Sequence, residues 1–176
     1  MPFIIGLLGL IAAAYFWANR ARDAARLTND LAGVASDVMA AARRFGFSRK
    51  LNLHPVESVD DPQLATAGLG LAFLELDGLP SVEQHAALTR SLQTHLGLSH
   101  DKAQEALILA RWLLSESGGA APGFTRLLRR LFKLQGRDAL PALMAVLNDT
   151  AQSGHTGLSP KQKEAMEEVT QTFRLR

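Results

Sequence analysis

The first eighteen residues, MPFIIGLLGLIAAAYFWA, carry no charged side chain, and this run restricts the chain more than any other feature. At 1.5 Å per residue a helix of that length reaches roughly 27 Å, close to the thickness of a thin hydrocarbon core. Tyr15, Phe16 and Trp17 gather at its C-terminal end, where aromatic rings favour the headgroup layer. A buried core helix would show a polar stripe, and none appears before Asn19. A cleaved signal peptide would carry basic residues ahead of the run, whereas Arg20, Arg22 and Arg26 follow it. The expectation is a single transmembrane anchor over residues 1–19, with Tyr15, Trp17, Arg20 and Arg22 at the interface. Basic flanks stay in the cytoplasm, so the N-terminus is expected outside and the C-terminal bulk inside, in a bacterial inner membrane.

Residues 20–50 read as a basic juxtamembrane helix. Seven Lys/Arg stand against Asp23, Asp30 and Asp37 between positions 19 and 50, net +4, while residues 51–176 hold twelve against fourteen, net −2. The chain's small total of +2 therefore hides positive charge concentrated beside the lipid. Ala24, Leu27, Leu31, Val34, Val38, Ala41 and Phe45 alternate at spacings of three and four, a heptad seam. Leu27, Leu31, Val34 and Val38 are its largest consecutive members. The seam either pairs with a second copy as a short coiled coil, which implies a homodimer, or lies on the protein's own domain. Gly46 stands where a helix ends.

Residues 51–176 read as one all-α domain. Asp61 precedes Pro62 at the start of an apolar run, PQLATAGLGLAFLEL, expected to be the central buried helix. Ser81-Val82-Glu83-Gln84 is a capping box, Gly97 ends the helix it opens, and Ser99 caps the next. A loop is expected over Gly118–Pro122, then helices closed by Gly136 and by the segment before Ser159. Ser159-Pro160-Lys161-Gln162 opens the last. That makes six helices after the neck, with no alternating strand pattern and no hairpin turn. Leu79–Glu83 echoes Leu158–Gln162 and THLGL echoes QTFRL, with one short insertion aligning the halves.

LAFLELDGLPSVEQHAALTRSLQTHLGL, with a degenerate copy near LNDTAQSGHTGLSPKQKEAMEEVTQTFRL, resembles the tellurite-resistance TerB-like domain over roughly residues 60–175. An anchor ahead of such a bundle is similar to the N-terminal part of the membrane-anchored DnaJ-like co-chaperones of the DjlA type. Those add a J domain with a His-Pro-Asp tripeptide. The only His-Pro here is His54-Pro55, followed by Val56, so stimulation of Hsp70 is not carried over. The resemblance implies a divalent-cation site with Asp77 and Glu83 at the first turn. His155 and Gln162 fall where the second turn should supply Asp and Glu. No other cofactor is expected.

Catalytic signatures are not found. With no cysteine, disulfides, thiolate zinc sites and cysteine nucleophiles are excluded. The five histidines form no HExxH, no GxSxG elbow or phosphate loop occurs, and no local Ser/His/Asp arrangement suggests a triad. One surface stands out: Arg126, Arg129, Arg130, Lys133 and Arg137 form a basic stripe opposite Phe124, Leu127, Leu128, Leu131 and Leu134. It is either a solvated face or a surface for anionic lipid or an acidic protein. Nucleic acid is not expected, since residues 51–176 are net acidic and aromatics are only 6 % of the chain. The expected function is a non-enzymatic, membrane-tethered adaptor or scaffold in envelope stress, or an accessory subunit of a membrane complex. The alternative is a metal or stress-ion sensor using Asp77 and Glu83.

Overall fold

The computed structural model describes residues 36–50, 52–153 and 157–174. The apolar run, Tyr15, Trp17, Arg20, Arg22, Leu27, Leu31 and Val34 lie outside the described residues. No helix among the described residues is long and apolar enough to cross a membrane.

Among the described residues the protein is all-α, and six helices follow the neck. They are α1 (Pro62–Glu75), α2 (Val82–Leu96), α3 (His100–Glu116), α4 (Ala120–Gln135), α5 (Leu140–Gln152) and α6 (Pro160–Arg174). Short 3₁₀ turns, Pro55–Ser58 and Gly136–Ala139, precede α1 and α5.

The caps explain most of these boundaries. Asp61 accepts from the Gln63 amide at 2.7 Å, and Pro62 takes the first helical position, where its missing N–H costs nothing. Ser81 and Gln84 exchange both bonds of the capping box, and Ser99 accepts from the Lys102 amide at 3.3 Å. The connection between α3 and α4 is shorter than the sequence suggests. Ala120, Ala121 and Pro122 already form the first turn of α4, because proline is tolerated before the intrahelical amide bonds begin.

Helix α1 is buried from Leu64 through Leu74 and packs against α2, α3, α4 and α5. A helix surrounded on every side has no face to leave polar, which is why its sequence lacks amphipathic period. Gly70 lets two neighbours close in together: a Cβ there would stand 2.7 Å from Leu88 Cδ1 of α2 and 3.0 Å from Val146 Cγ1 of α5. Elsewhere α2 lies along α5, and α6 is fixed to α4, with Phe173 edge-on to Phe132 at 5.2 Å between ring centres.

Residues 36–44 are helical, and the compact unit begins at Val38 rather than at residue 51. Phe47 N donates to Ala42 O at 2.7 Å across Gly46, whose φ of +60° is the left-handed conformation such a helix end needs. Val38, Ala41 and Phe45, the last three seam positions, pack on the core. Phe47 stacks edge-on against Trp112 at 5.8 Å, Lys102 sits over the Phe45 ring, and Arg44 pairs with Glu105. For this end of the seam, the protein's own domain is the partner.

Candidate functional site

Helix α4 is the most strongly amphipathic element of the fold. Phe124, Leu127, Leu128 and Leu131 are buried, and the opposite face is basic. Across from that face runs the segment that leads into α1. Between the two lies an open cleft of about 520 Å³, lined by Arg126, Arg129, Arg130 and Lys133 on one side and Lys50, Leu53 and Glu57 on the other.

The cations of the cleft fall into two groups. Arg130 is only 13 % exposed; its Nε donates to Val59 O and its Nη2 to Asp60 Oδ1. Lys50 Nζ reaches the other Asp60 oxygen at 3.2 Å, and Lys50 N donates to Ser58 Oγ at 3.1 Å. Arg130 braces the segment against α4, and Lys50 ties the segment to itself. By contrast Arg126, Arg129 and Lys133 are exposed and make no ion pair or side-chain hydrogen bond among the described residues. Among the described residues, Glu57 is the one carboxylate in the cleft lining.

The five-residue stripe read from the sequence therefore divides. Arg130 is structural, since its spacing says nothing about a carbonyl and a carboxylate seventy residues earlier. Arg137 falls in the 3₁₀ turn beyond Gly136 and does not line the cleft. The cleft gains Lys50 and Leu53, which no local pattern relates to α4.

Of the residues suggested for a cation, Asp77, Glu83 and Gln162 are among the described ones. Asp77 sits in the turn between α1 and α2, and Glu83 in the first turn of α2. Gln162 is 8 % exposed and already committed: its Oε1 accepts from Ser159 N at 3.2 Å and its Nε2 donates to Phe73 O at 3.2 Å. The two observed capping boxes also correct the register of the echo. Ser81 matches Ser159 and Gln84 matches Gln162, so Glu83 falls opposite Lys161, a cation. His155 lies outside the described residues. Among the described residues no three His, Asp or Glu side chains gather as ligands, whereas Ca²⁺ or Mg²⁺ wants about six oxygens.

Two polar clusters were not legible in the sequence. Ser91 Oγ donates to Asp149 Oδ2 at 2.8 Å, and His95 Nε2 lies 2.9 Å from the same oxygen. The Ser91 hydrogen bond, against an opposing effect of burial and aided by His95, holds the Asp149 carboxyl below its ordinary range. Serine, histidine and aspartate thus do meet, but not in the order of a relay. No imidazole stands between hydroxyl and carboxylate, and Ser91 is buried. The cluster is a clamp between α2 and α5. Its i, i+4 half was visible in the sequence; the acceptor, 58 residues after Ser91, was not.

The second cluster joins α2 to α3. Arg111 Nη2 donates to His85 Nε2 at 2.8 Å, while Arg111 Nε stands 3.5 Å from Glu75 Oε1. Burial first, and the Arg111 charge second, push the His85 pKa down. A neutral imidazole suits this role, because only the unprotonated nitrogen accepts.

Compared with family models, with curated proteins and with solved structures, the chain finds no match in any of the three.

Proposed function

We propose that this chain is a non-enzymatic, membrane-tethered interaction protein, an adaptor or scaffold that presents its helical domain at the cytoplasmic face of a bacterial inner membrane. The observation that carries the reading is the group of cations Arg126, Arg129 and Lys133, held over an open cleft without partners among the described residues. Charges that serve folding are paired in this protein, as Arg130 and Lys50 are with Asp60. Three like charges on one helix face repel each other and contribute nothing to the core, so an anionic partner is their fitting counterpart. The apolar run of residues 1–18 supplies the tether, which concentrates the domain against membrane partners.

The metal-sensor alternative has no specific observation in its favour, given the committed Gln162 and the Lys161 opposite Glu83.

Alkaline carbonate extraction of membranes carrying the full chain, followed by protease treatment of intact cells, tests the tether. Retention in the pellet with the C-terminal bulk protected is expected. Release into the supernatant, or digestion of the domain from outside, overturns the reading.

A further inference from the structure

We propose that the cleft between α4 and the segment entering α1 seats the phosphate headgroups of anionic phospholipids, in the same bilayer that the apolar run enters. The proximity of that bilayer rests on the tethered reading above; the chemistry of the cleft does not.

The cleft combines three properties that suit a headgroup. Arg126, Arg129 and Lys133 are exposed, unpaired among the described residues and spread over two turns of one helix, so several phosphates can be met at once. Guanidinium groups bind phosphate oxygens through paired, charge-assisted hydrogen bonds, and lysine adds a compact charge. Leu53, 44 % exposed, stands at the opposite wall, where a large apolar side chain gains by reaching the boundary between headgroups and acyl chains.

Covalent attachment to the apolar run argues for the chain's own bilayer rather than for an acidic protein. The wall carrying Lys50 and Leu53 continues the basic neck that leads back to the apolar run. A bilayer that holds the run is then a surface the domain meets at high local concentration. Each cation near an anionic surface strengthens partitioning about fivefold, so three act together as a substantial attraction.

The sequence has no cysteine, which makes a single label unambiguous. Full-length chain carrying Leu53→Cys with an environment-sensitive fluorophore is reconstituted into phosphatidylcholine vesicles, with or without phosphatidylglycerol. Both contain lipid with a nitroxide on its headgroup. Quenching should be at least about twofold stronger in the anionic vesicles. It should fall to the neutral level when salt rises from about 0.1 M to 1 M, as the screening length drops from about 10 Å to 3 Å. Arg126→Glu combined with Arg129→Glu should abolish the difference while circular dichroism stays unchanged. A label at Thr94→Cys on α2, which packs on α5 rather than α4, should not distinguish the two compositions.

Equal quenching in both compositions overturns the inference. So does loss of the difference on adding millimolar inorganic phosphate, which would assign the cleft to a free anion. Stronger shielding of the label by soluble polyglutamate than by anionic lipid would assign it to an acidic protein and overturn it as well. A chain released by carbonate whose Leu53 label is still quenched on anionic vesicles loses the tether and keeps the cleft. A chain retained by carbonate but unquenched keeps the tether and loses the cleft.

Discussion

Asp149 accepts from Ser91 and from His95 on one oxygen, and that pair of donors makes its ionised form the better fit to the fold. A carboxyl whose pKa is lowered on folding contributes stability that is complete above its ordinary value of 3.8 and is lost as pH falls through the lowered value. The urea midpoint should accordingly decline below about pH 4, and in Asp149→Asn that decline should be shallower. An equal slope in variant and parent would assign the acid sensitivity elsewhere. His85 acts in the opposite charge sense with the same slope. Its pKa is depressed, so the folded form binds fewer protons than the unfolded chain, and stability falls as pH drops below 6.5. His85→Gln, which keeps an acceptor for Arg111, should flatten the stability profile between pH 6.5 and the lowered value, read by thermal unfolding in steps of pH. Neither cluster could be found from the sequence. Ser91 and His95 share a helix face, but a lone Asp 54 residues beyond His95 is one of many carboxylates until the chain is folded.

At the scale of the element, local rules were legible wherever one turn of helix supplies both partners. Asp61, Ser81, Ser99 and Ser159 each accept the bond their position announces, because an N-cap needs only a side chain and an amide two or three residues apart. The two capping boxes differ in what lies beyond them. Gln84 serves its own helix end at an exposed site, whereas Gln162 also ties α6 to the Phe73 carbonyl of α1. Gln162→Ala should therefore cost about 1 kcal/mol more than Gln84→Ala, measured by urea unfolding. Equal losses would make the Phe73 bond energetically idle. Gly70→Ala sets two effects against each other. Alanine gains about 1 kcal/mol of helix propensity, while forcing a methyl against Leu88 and Val146 costs about 1–3 kcal/mol. Because both neighbours belong to a packed core, the second effect wins, and the variant should be less stable.

For the whole molecule, the decisive junction is where the neck enters the domain. Ala41 is buried, Phe47 rests on Trp112 and Arg44 pairs with Glu105, so the compact unit starts before the sequence boundary at residue 51. Phe47→Ala should lower stability by about 2 kcal/mol, less than for a fully buried phenylalanine, and should change Trp112 emission when Trp17 is replaced by Phe. An unchanged unfolding curve would mean that this segment merely touches the bundle. The heptad seam could not reveal this, since an apolar stripe fits a second copy and its own core equally well.

The sequence by itself determined the all-α class, the number of helices after the neck and nearly all their caps. Each of these depends on residues within one or two turns of one another. Tertiary structure alone decided that Arg130 is a brace, that Lys50 and Leu53 face α4, and that Gln162 is committed to the core. Those facts depend on which distant segments the shared core of α1 brings together. Periodicity assigns a side chain to a face of its helix; only packing decides what that face meets.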